Sequence, residues 1–179
     1  VRQQAGLILK TIVAKRADFL RLQPPVLSYV VSQLMRASSI GDPTFAVRKT
    51  VANVLASVML SQRTPDAFAA WPQMLPTLVA MMSSASAGNA ASGANSAPLV
   101  EGATHCVSLL CEDCGQRMIA IDGGSPFNAI VPALVPLSSH PIARVRLYAL
   151  EALSHIIPLG TAAIDISMEA VLQCLSART

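Results

Sequence analysis

Aromatic residues are scarce in this sequence. Its 179 residues include four Phe, two Tyr and one Trp, so the core must be built from Leu, Val, Ile, Ala and Met. Charge is also thin, at 13% of residues against about 25% in an average globular domain. Hydrophobic residues make up 53%. That balance excludes a disordered chain, which needs low hydrophobicity and high charge. No apolar stretch approaches the ~20 residues of a membrane-spanning helix. The longest, such as Ile130 to Leu137, are short and interrupted by proline. The net charge of +3 is spread along the chain without a Lys/Arg block, whereas a nucleic-acid binder gathers its basic residues on one face or helix. Neither a membrane nor a nucleic acid is therefore expected as a partner. The four cysteines, Cys106, Cys111, Cys114 and Cys174, do not form the dense framework of a small secreted scaffold. Reduced thiols in an intracellular protein are expected. Neither a signal peptide nor an initiator Met opens the chain, and Val1-Arg2-Gln3-Gln4-Ala5 already lies in a helical pattern. The chain is accordingly expected to be a piece of a longer protein.

What the sequence does contain is a repeat. A Val-Arg pair opens a helical pattern at Val1-Arg2, Val47-Arg48 and Val145-Arg146. The last interval is about twice the first, so a further unit is expected between them, at Val100-Glu101-Gly102-Ala103. Periods of about 40–47 residues built from helix pairs are those of HEAT and armadillo repeats. Prolines recur in register, Pro76 matching Pro132 in the first helix of each pair. Pro, Asp and Val-Arg fall at HEAT-like offsets, with Leu34 in place of Pro in one unit and His140 in place of Asp in another. An interior Pro implies a kink that packing tolerates.

Apolar residues spaced three and four apart mark helices. They are expected at 1–16 (Val1, Ala5, Ile8, Leu9, Ile12 and Val13 inward), 24–38, 44–60 (Val47, Val51, Val54, Leu55 and Val58 inward), 71–82, 99–118, 126–138, 142–157 and 162–176. Pro24 and Pro25 suit a first helical turn, and Gly41-Asp42-Pro43 reads as a turn with Asp42 as its cap. No segment alternates as a strand would. The expected fold is an all-α, HEAT-repeat right-handed solenoid of antiparallel helix pairs, a fragment of a longer superhelix. Residues 1–179 form a single array of about four repeats with a flexible insertion at 83–98. Every residue of that tract is Ser, Ala, Gly, Asn or Pro, with no charge, and it cannot bury enough apolar surface to offset its ordering entropy.

Catalytic constellations are poor. No Gly-rich phosphate loop, G-x-S-x-G or H-E-x-x-H occurs, and no enzyme activity, cofactor or metal is expected. Gly123-Gly124 reads as an inter-helix turn. Cys111-Glu112-Asp113-Cys114 has the spacing of a zinc half-site or redox pair, but no second pair lies at finger spacing and a helix precedes it in place of a strand. Two thiols one helical turn apart is the simpler reading, and a thiol or zinc enzyme centred there the alternative. Arg2, Arg48 and Arg146 suit either a partner-binding ladder or bonds that hold the stack. The structural role is favoured for Arg48, with Asp42 as its expected partner. Lys10 and Lys49 project off the apolar face and are read as solvated. Trp71 suits core packing, with a ligand platform as the other reading.

The run Arg2-Gln3-Gln4-Ala5-Gly6-Leu7-Ile8-Leu9-Lys10-Thr11-Ile12-Val13 resembles the end of the N-terminal signature of the importin-β (karyopherin-β) family. There an Arg, an Ala-Gly and a Leu-Lys-Asn-x-Val follow at these spacings, and Thr11 stands where Asn is frequent. Ile40-Gly41-Asp42, Val47-Arg48-Lys49-Thr50-Val51, Trp71-Pro72-Gln73-Met74-Leu75-Pro76, Glu101-Gly102-Ala103, Cys111-Glu112-Asp113, Ile130-Val131-Pro132 and Val145-Arg146 continue the resemblance in order. It implies a HEAT superhelix that carries proteins into the nucleus, shuttling between cytoplasm and nucleus. The implied partners are the GTP form of Ran, nuclear-localisation-signal cargo bound by parts of the parent protein outside this chain, and nucleoporins. In the family the N-terminal repeats contact Ran through their inner, second helices. The matching non-core positions here are Gln3, Lys10, Lys49, Asn53, Glu101 and Glu151, the expected Ran contacts. A HEAT scaffold of another class, such as a phosphatase regulatory subunit, is the alternative.

Overall fold

The computed structural model describes residues 2–14, 24–61, 68, 71–84, 93–121 and 124–160. Among them are eight helices and no strand. In chain order these are α1 (Arg2–Ala14), α2 (Pro24–Leu34), α3 (Ala37–Ile40), α4 (Phe45–Ser61), α5 (Met74–Ser83), α6 (Gly93–Ile119), α7 (Ser125–Leu137) and α8 (Ala143–Gly160). None of the described helices is long and apolar enough to cross a membrane.

The boundaries follow local chemistry. Pro24 and Pro25 open α2, where a missing N–H costs nothing. Gly124 precedes α7 with φ 93°, a left-handed conformation that glycine adopts without strain. Pro76 is the third residue of α5, so no helical hydrogen bond is lost there and the kink expected at it is not required. Pro132, Pro136 and Pro158 do lie inside helices. Trp71 sits in the turn before α5 rather than in the helix. The helix expected at 99–118 begins six residues earlier, at Gly93, and Ser83 closes α5. Both ends of the 83–98 tract are thus helical, while 85–92 lies outside the described residues, as does the helix expected at 162–176. The extension carries Pro98 inside α6, where its missing N–H leaves one carbonyl of the preceding turn without a helical partner.

The helices pack in two rows. One row runs α1, α4, α6, α8, each helix against the next. The other holds α2, α5 and α7, which pack on α4, α6 and α8 respectively, with α5 also against α7. This is the layered helix-pair arrangement of a HEAT solenoid, in which each repeat contacts its neighbours. The short α3 wedges between α4 and α6. There a Cβ on Gly102 would lie 1.9 Å from the Ile40 carbonyl oxygen, so only glycine lets α6 come this close.

The core is aliphatic, as the composition requires. Leu55, Met59, Leu78, Met82, Leu110, Met118, Ile130 and Leu134 are fully buried, and Phe127 is the one aromatic among the largest such side chains. Each contributes roughly 1.5–3 kcal/mol by leaving water. In α4 the expected inward residues Val51, Val54, Leu55 and Val58 are buried, and Val47 packs at the margin. α1 differs from expectation. Val13 is buried, Leu9 packs on the core and Gly6 faces Thr50, but Ala5, Ile8 and Ile12 are exposed. The apolar stripe of α1 is wider than the one face that α4 covers.

Candidate partner-binding face

The N-terminal ends of the helices in the row α1, α4, α6, α8, the row expected to be the inner one, carry a ladder of charged side chains. Arg48 Nη1 donates to the carbonyl oxygens of Asp42 (2.6 Å) and Pro43 (3.1 Å). Its Nη2 donates to Glu101 Oε1 at 2.9 Å, joining α4 to α6. Arg146 repeats the first part: its Nη1 donates to the carbonyls of His140 (2.9 Å) and Pro141 (3.0 Å). Each guanidinium thereby ties the first turn of an inner helix to the bend before it. The structural reading of Arg48 holds, with its partner corrected. It takes the backbone oxygen of Asp42, not the carboxylate. That carboxylate is paired with Arg2 of α1 and accepts from the Thr44 N–H.

Glu101 is the hub of this edge. It is 6% exposed, pairs with Arg48, and also lies 3.5 Å from Arg144 of α8. The Arg144 guanidinium rests over the Phe45 ring, 4.2 Å from its centroid. A buried carboxylate must be paired, and here one carboxylate on α6 serves arginines from the helices on both sides.

Below this hub the His105 ring of α6 stacks on Tyr148 of α8, with centroids 4.3 Å apart and planes at 17°. Burial, reinforced by the Lys49 charge and opposed by Glu101, pushes the His105 pKa down to about 4. The imidazole is therefore neutral near pH 7. Burial first, then Glu101, raises the Tyr148 phenol, so it stays a donor.

The residues expected at partner contacts do not share one environment. Gln3, Lys10 and Lys49 are exposed, and none makes an ion pair among the described residues. Asn53 is half-buried and its Nδ2 donates to the Lys49 carbonyl at 2.7 Å. Glu151 is exposed, with Ser108 Oγ at 3.5 Å from its Oε2. Glu101 differs: it is buried and committed to the ladder. The charges of Lys49 and Glu101 both act on His105, and those of Glu101 and Glu151 on Tyr148. Sequence reasoning did not single out Phe45, Tyr148 or Arg144. The signal available was the repeat register, which puts Phe45 and Arg144 in equivalent first turns.

The C-x-x-C thiols lie on the packed side of α6. Cys111 and Cys114 are each 1% exposed. Burial pushes Cys106 and Cys111 up to about 12 and Cys114 to about 11. Burial keeps these thiols protonated and packed within the stack. Among the described residues no three His, Cys, Asp or Glu side chains are placed to hold a metal ion.

No family model matches the chain. Individual proteins do. Transportin of Dictyostelium discoideum is 31% identical over 173 residues, covering 97% of this chain. Transportin-1 of Oryza sativa subsp. japonica is 29% identical over 177 residues, covering 97%. Importin subunit beta-2 of Schizosaccharomyces pombe is 25% identical over 158 residues, covering 88%. The homologues of this chain are karyopherin-β proteins. The chain spans 17%, 18% and 16% of these three relatives. The charged ladder, the Glu101 hub and the exposed positions of the inner row thus lie in a stretch that aligns with transportins almost from end to end.

Proposed function

We propose that this chain is a segment of a nuclear import receptor of the transportin kind, and that its inner helices engage Ran in the GTP form. The reading is carried by one observation: the inner row α1, α4, α6, α8 presents polar side chains that the stack does not consume, within a sequence collinear with transportins over 97% of its length. Lys10, Lys49 and Glu151 are the exposed contact positions open to a partner, with Gln3 and Asn53 beside them. Glu101 acts at one remove, by holding Arg48 and Arg144 in place. The function is recognition, with no bond made or broken. Cargo bearing a nuclear localisation signal binds parts of the parent protein outside this chain, and nucleoporins are further partners of that parent as it shuttles between cytoplasm and nucleus. We read residues 1–179 as one array of about four repeats, with the 83–98 tract as its insertion.

Calorimetric titration with Ran, loaded with GTP and separately with GDP, tests the reading. Binding of the GTP form alone, weakened by Lys49→Ala and Lys10→Ala, is the expected result. No discrimination between the nucleotides, in this chain and in a longer one extended at its N-terminus, overturns it and leaves a HEAT scaffold of another class, such as a phosphatase regulatory subunit.

A further inference from the structure

Two guanidinium groups share one carboxylate at the edge of the inner row, and they share it unequally. Arg48 holds Glu101 at 2.9 Å with both side chains buried, 7% and 8% exposed. Arg144 lies 3.5 Å from the same oxygen with 54% of its side chain exposed. What positions Arg144 is the Phe45 face beneath it, at 4.2 Å from the centroid. Attraction to a ring face holds a cation without using its N–H donors, so the fork remains available to an acceptor from outside.

Lys49 adds a second exposed cation. Its charge acts on His105, and that of Arg144 on Tyr148; the two rings are stacked on each other. Lys49 lies one helical turn after Phe45 on α4, and Arg144 rests on the Phe45 ring, so the two cations are neighbours on this face. Among the described residues, Glu101 is the one carboxylate at ion-pair range of Arg48 and Arg144, and Lys49 has no carboxylate at that range. The next carboxylates along the face are Glu151 on α8 and Glu112 and Asp113 on α6, all exposed. The Arg144 and Lys49 side of the patch is positive, and Glu151, whose charge acts on Tyr148, bounds it on the other side.

We propose that the patch formed by Lys49, His105, Tyr148 and Arg144 binds a short acidic segment of a partner protein, a carboxylate lying between the Arg144 guanidinium and the Lys49 ammonium. This rests on the reading of the inner helices as the partner-facing surface and names the partner's chemistry there. A guanidinium fork matches a carboxylate in two parallel bonds. Tyr148, half-buried against the buried His105 ring, gives the segment an apolar edge and a phenol donor. A nucleic acid fits less well. Its affinity comes from many neutralised phosphates, whereas two exposed cations serve one anionic group and the carboxylates beyond repel a continuing polyanion.

The test is nuclear magnetic resonance titration of the whole chain with a capped glutamate-rich peptide, its glutamine counterpart and a single-stranded oligothymidylate. The glutamate peptide is expected to shift the His105 and Tyr148 ring resonances and to raise the His105 pKa, and the glutamine peptide to do neither. Arg144→Gln and Lys49→Gln should each weaken binding about fivefold, as loss of one exposed charge contact does, and Arg36→Gln on the loop after α2 should not. Unmoved ring resonances, indifference to Arg144→Gln, or tighter binding of oligothymidylate at the patch overturns the proposal. Its fate separates from that of the Ran reading. Peptide binding here, with Ran ignored both by this chain and by the N-terminally extended one, supports the patch and removes Ran. Ran binding with no response to the peptide removes the patch and keeps Ran.

Discussion

Asp42 and His140 do the same work at equivalent bends with different chemistry. Asp42 Oδ1 accepts from the Thr44 N–H at 2.8 Å, and His140 Nδ1 accepts from the Ile142 N–H at 3.2 Å. The HEAT pattern has Asp at this place, so His140 looks like a departure, yet its geometry preserves the turn. The acceptor must be unprotonated, and burial together with Arg146 lowers the His140 pKa, which favours that form. His140→Ala should cost about 1 kcal/mol, one lost local hydrogen bond, and His140→Asp should retain stability at pH 7. In mild acid the Asp variant should outlast the parent, because protonation removes the imidazole acceptor first. Urea denaturation of the three proteins at pH 7 and pH 5 checks this.

Arg48 and Arg146 make matching backbone bonds but differ in what depends on them. Arg48 is buried and is the close partner of buried Glu101; Arg146 bonds only carbonyls near the surface. Removing one member of a buried pair strands the other charge, at a cost of about 3 kcal/mol. Arg48→Ala should therefore cost about that much and Arg146→Ala about 1 kcal/mol. Equal losses in chemical denaturation would show that the Glu101 link contributes nothing.

Gly102 and Gly115 both lie within α6, where alanine would ordinarily gain about 1 kcal/mol. At Gly102 the new Cβ meets the Ile40 carbonyl oxygen at 1.9 Å, and backbone cannot yield without parting α3 from α6. At Gly115 it meets the tip of Leu159 at 2.7 Å, a flexible side chain. Gly102→Ala should lower stability by about 3 kcal/mol or more, and Gly115→Ala by little or nothing. Thermal melts of the two variants decide it.

Much of this was legible beforehand because helix spacing and proline position are local properties. The seven expected helices that fall on described residues are there, the one at 24–38 broken at Met35-Arg36 into α2 and the short α3, and the Val-Arg repeat marks helices with a shared corner. What escaped depends on distance along the chain. Glu101 looked like a free surface carboxylate, since nothing local shows that Arg48, 53 residues earlier, will bury it. The stacking of His105 on Tyr148 likewise needs α6 and α8 to be neighbours first. The stripe of α1 was misread at Ala5, Ile8 and Ile12 because periodicity reports an apolar face and not whether anything covers it.

His105 makes stability depend on pH in a defined window. Its pKa is about 4 in the folded protein, against an ordinary value of 6.5 that the unfolded chain retains. Below 6.5 the unfolded chain takes up a proton that the folded chain refuses, so stability falls as pH falls and levels off once the folded form also titrates, near 4. The full loss is on the order of 3 kcal/mol. His105→Phe keeps a ring against Tyr148 and removes the titration. The stability gap between pH 7 and pH 4.5 should therefore be smaller in the variant by about 2 kcal/mol. An unchanged gap would assign the acid sensitivity to other groups.

The buried thiols offer a clock for opening of α6. Cys106, Cys111 and Cys114 are each 1% exposed, and burial pushes all three well above their ordinary range, to about 12, 12 and 11. A thiol reagent needs both access and thiolate, and in the folded state these groups supply neither. In a Cys174→Ser background, which leaves only these three, reaction with a disulfide reagent at pH 8 should be negligible in buffer and complete in guanidinium. Because the three sit on one helix held by α4, α5, α7 and α8, they should react together at a rate that tracks unfolding. Arg48→Ala, at a loss of about 3 kcal/mol, should then speed the reaction roughly a hundredfold, since reaction from an opened state follows the population of that state. A Cys111 or Cys114 that reacts within seconds in buffer would instead mark an accessible thiolate, and would return the C-x-x-C pair to consideration as a redox site.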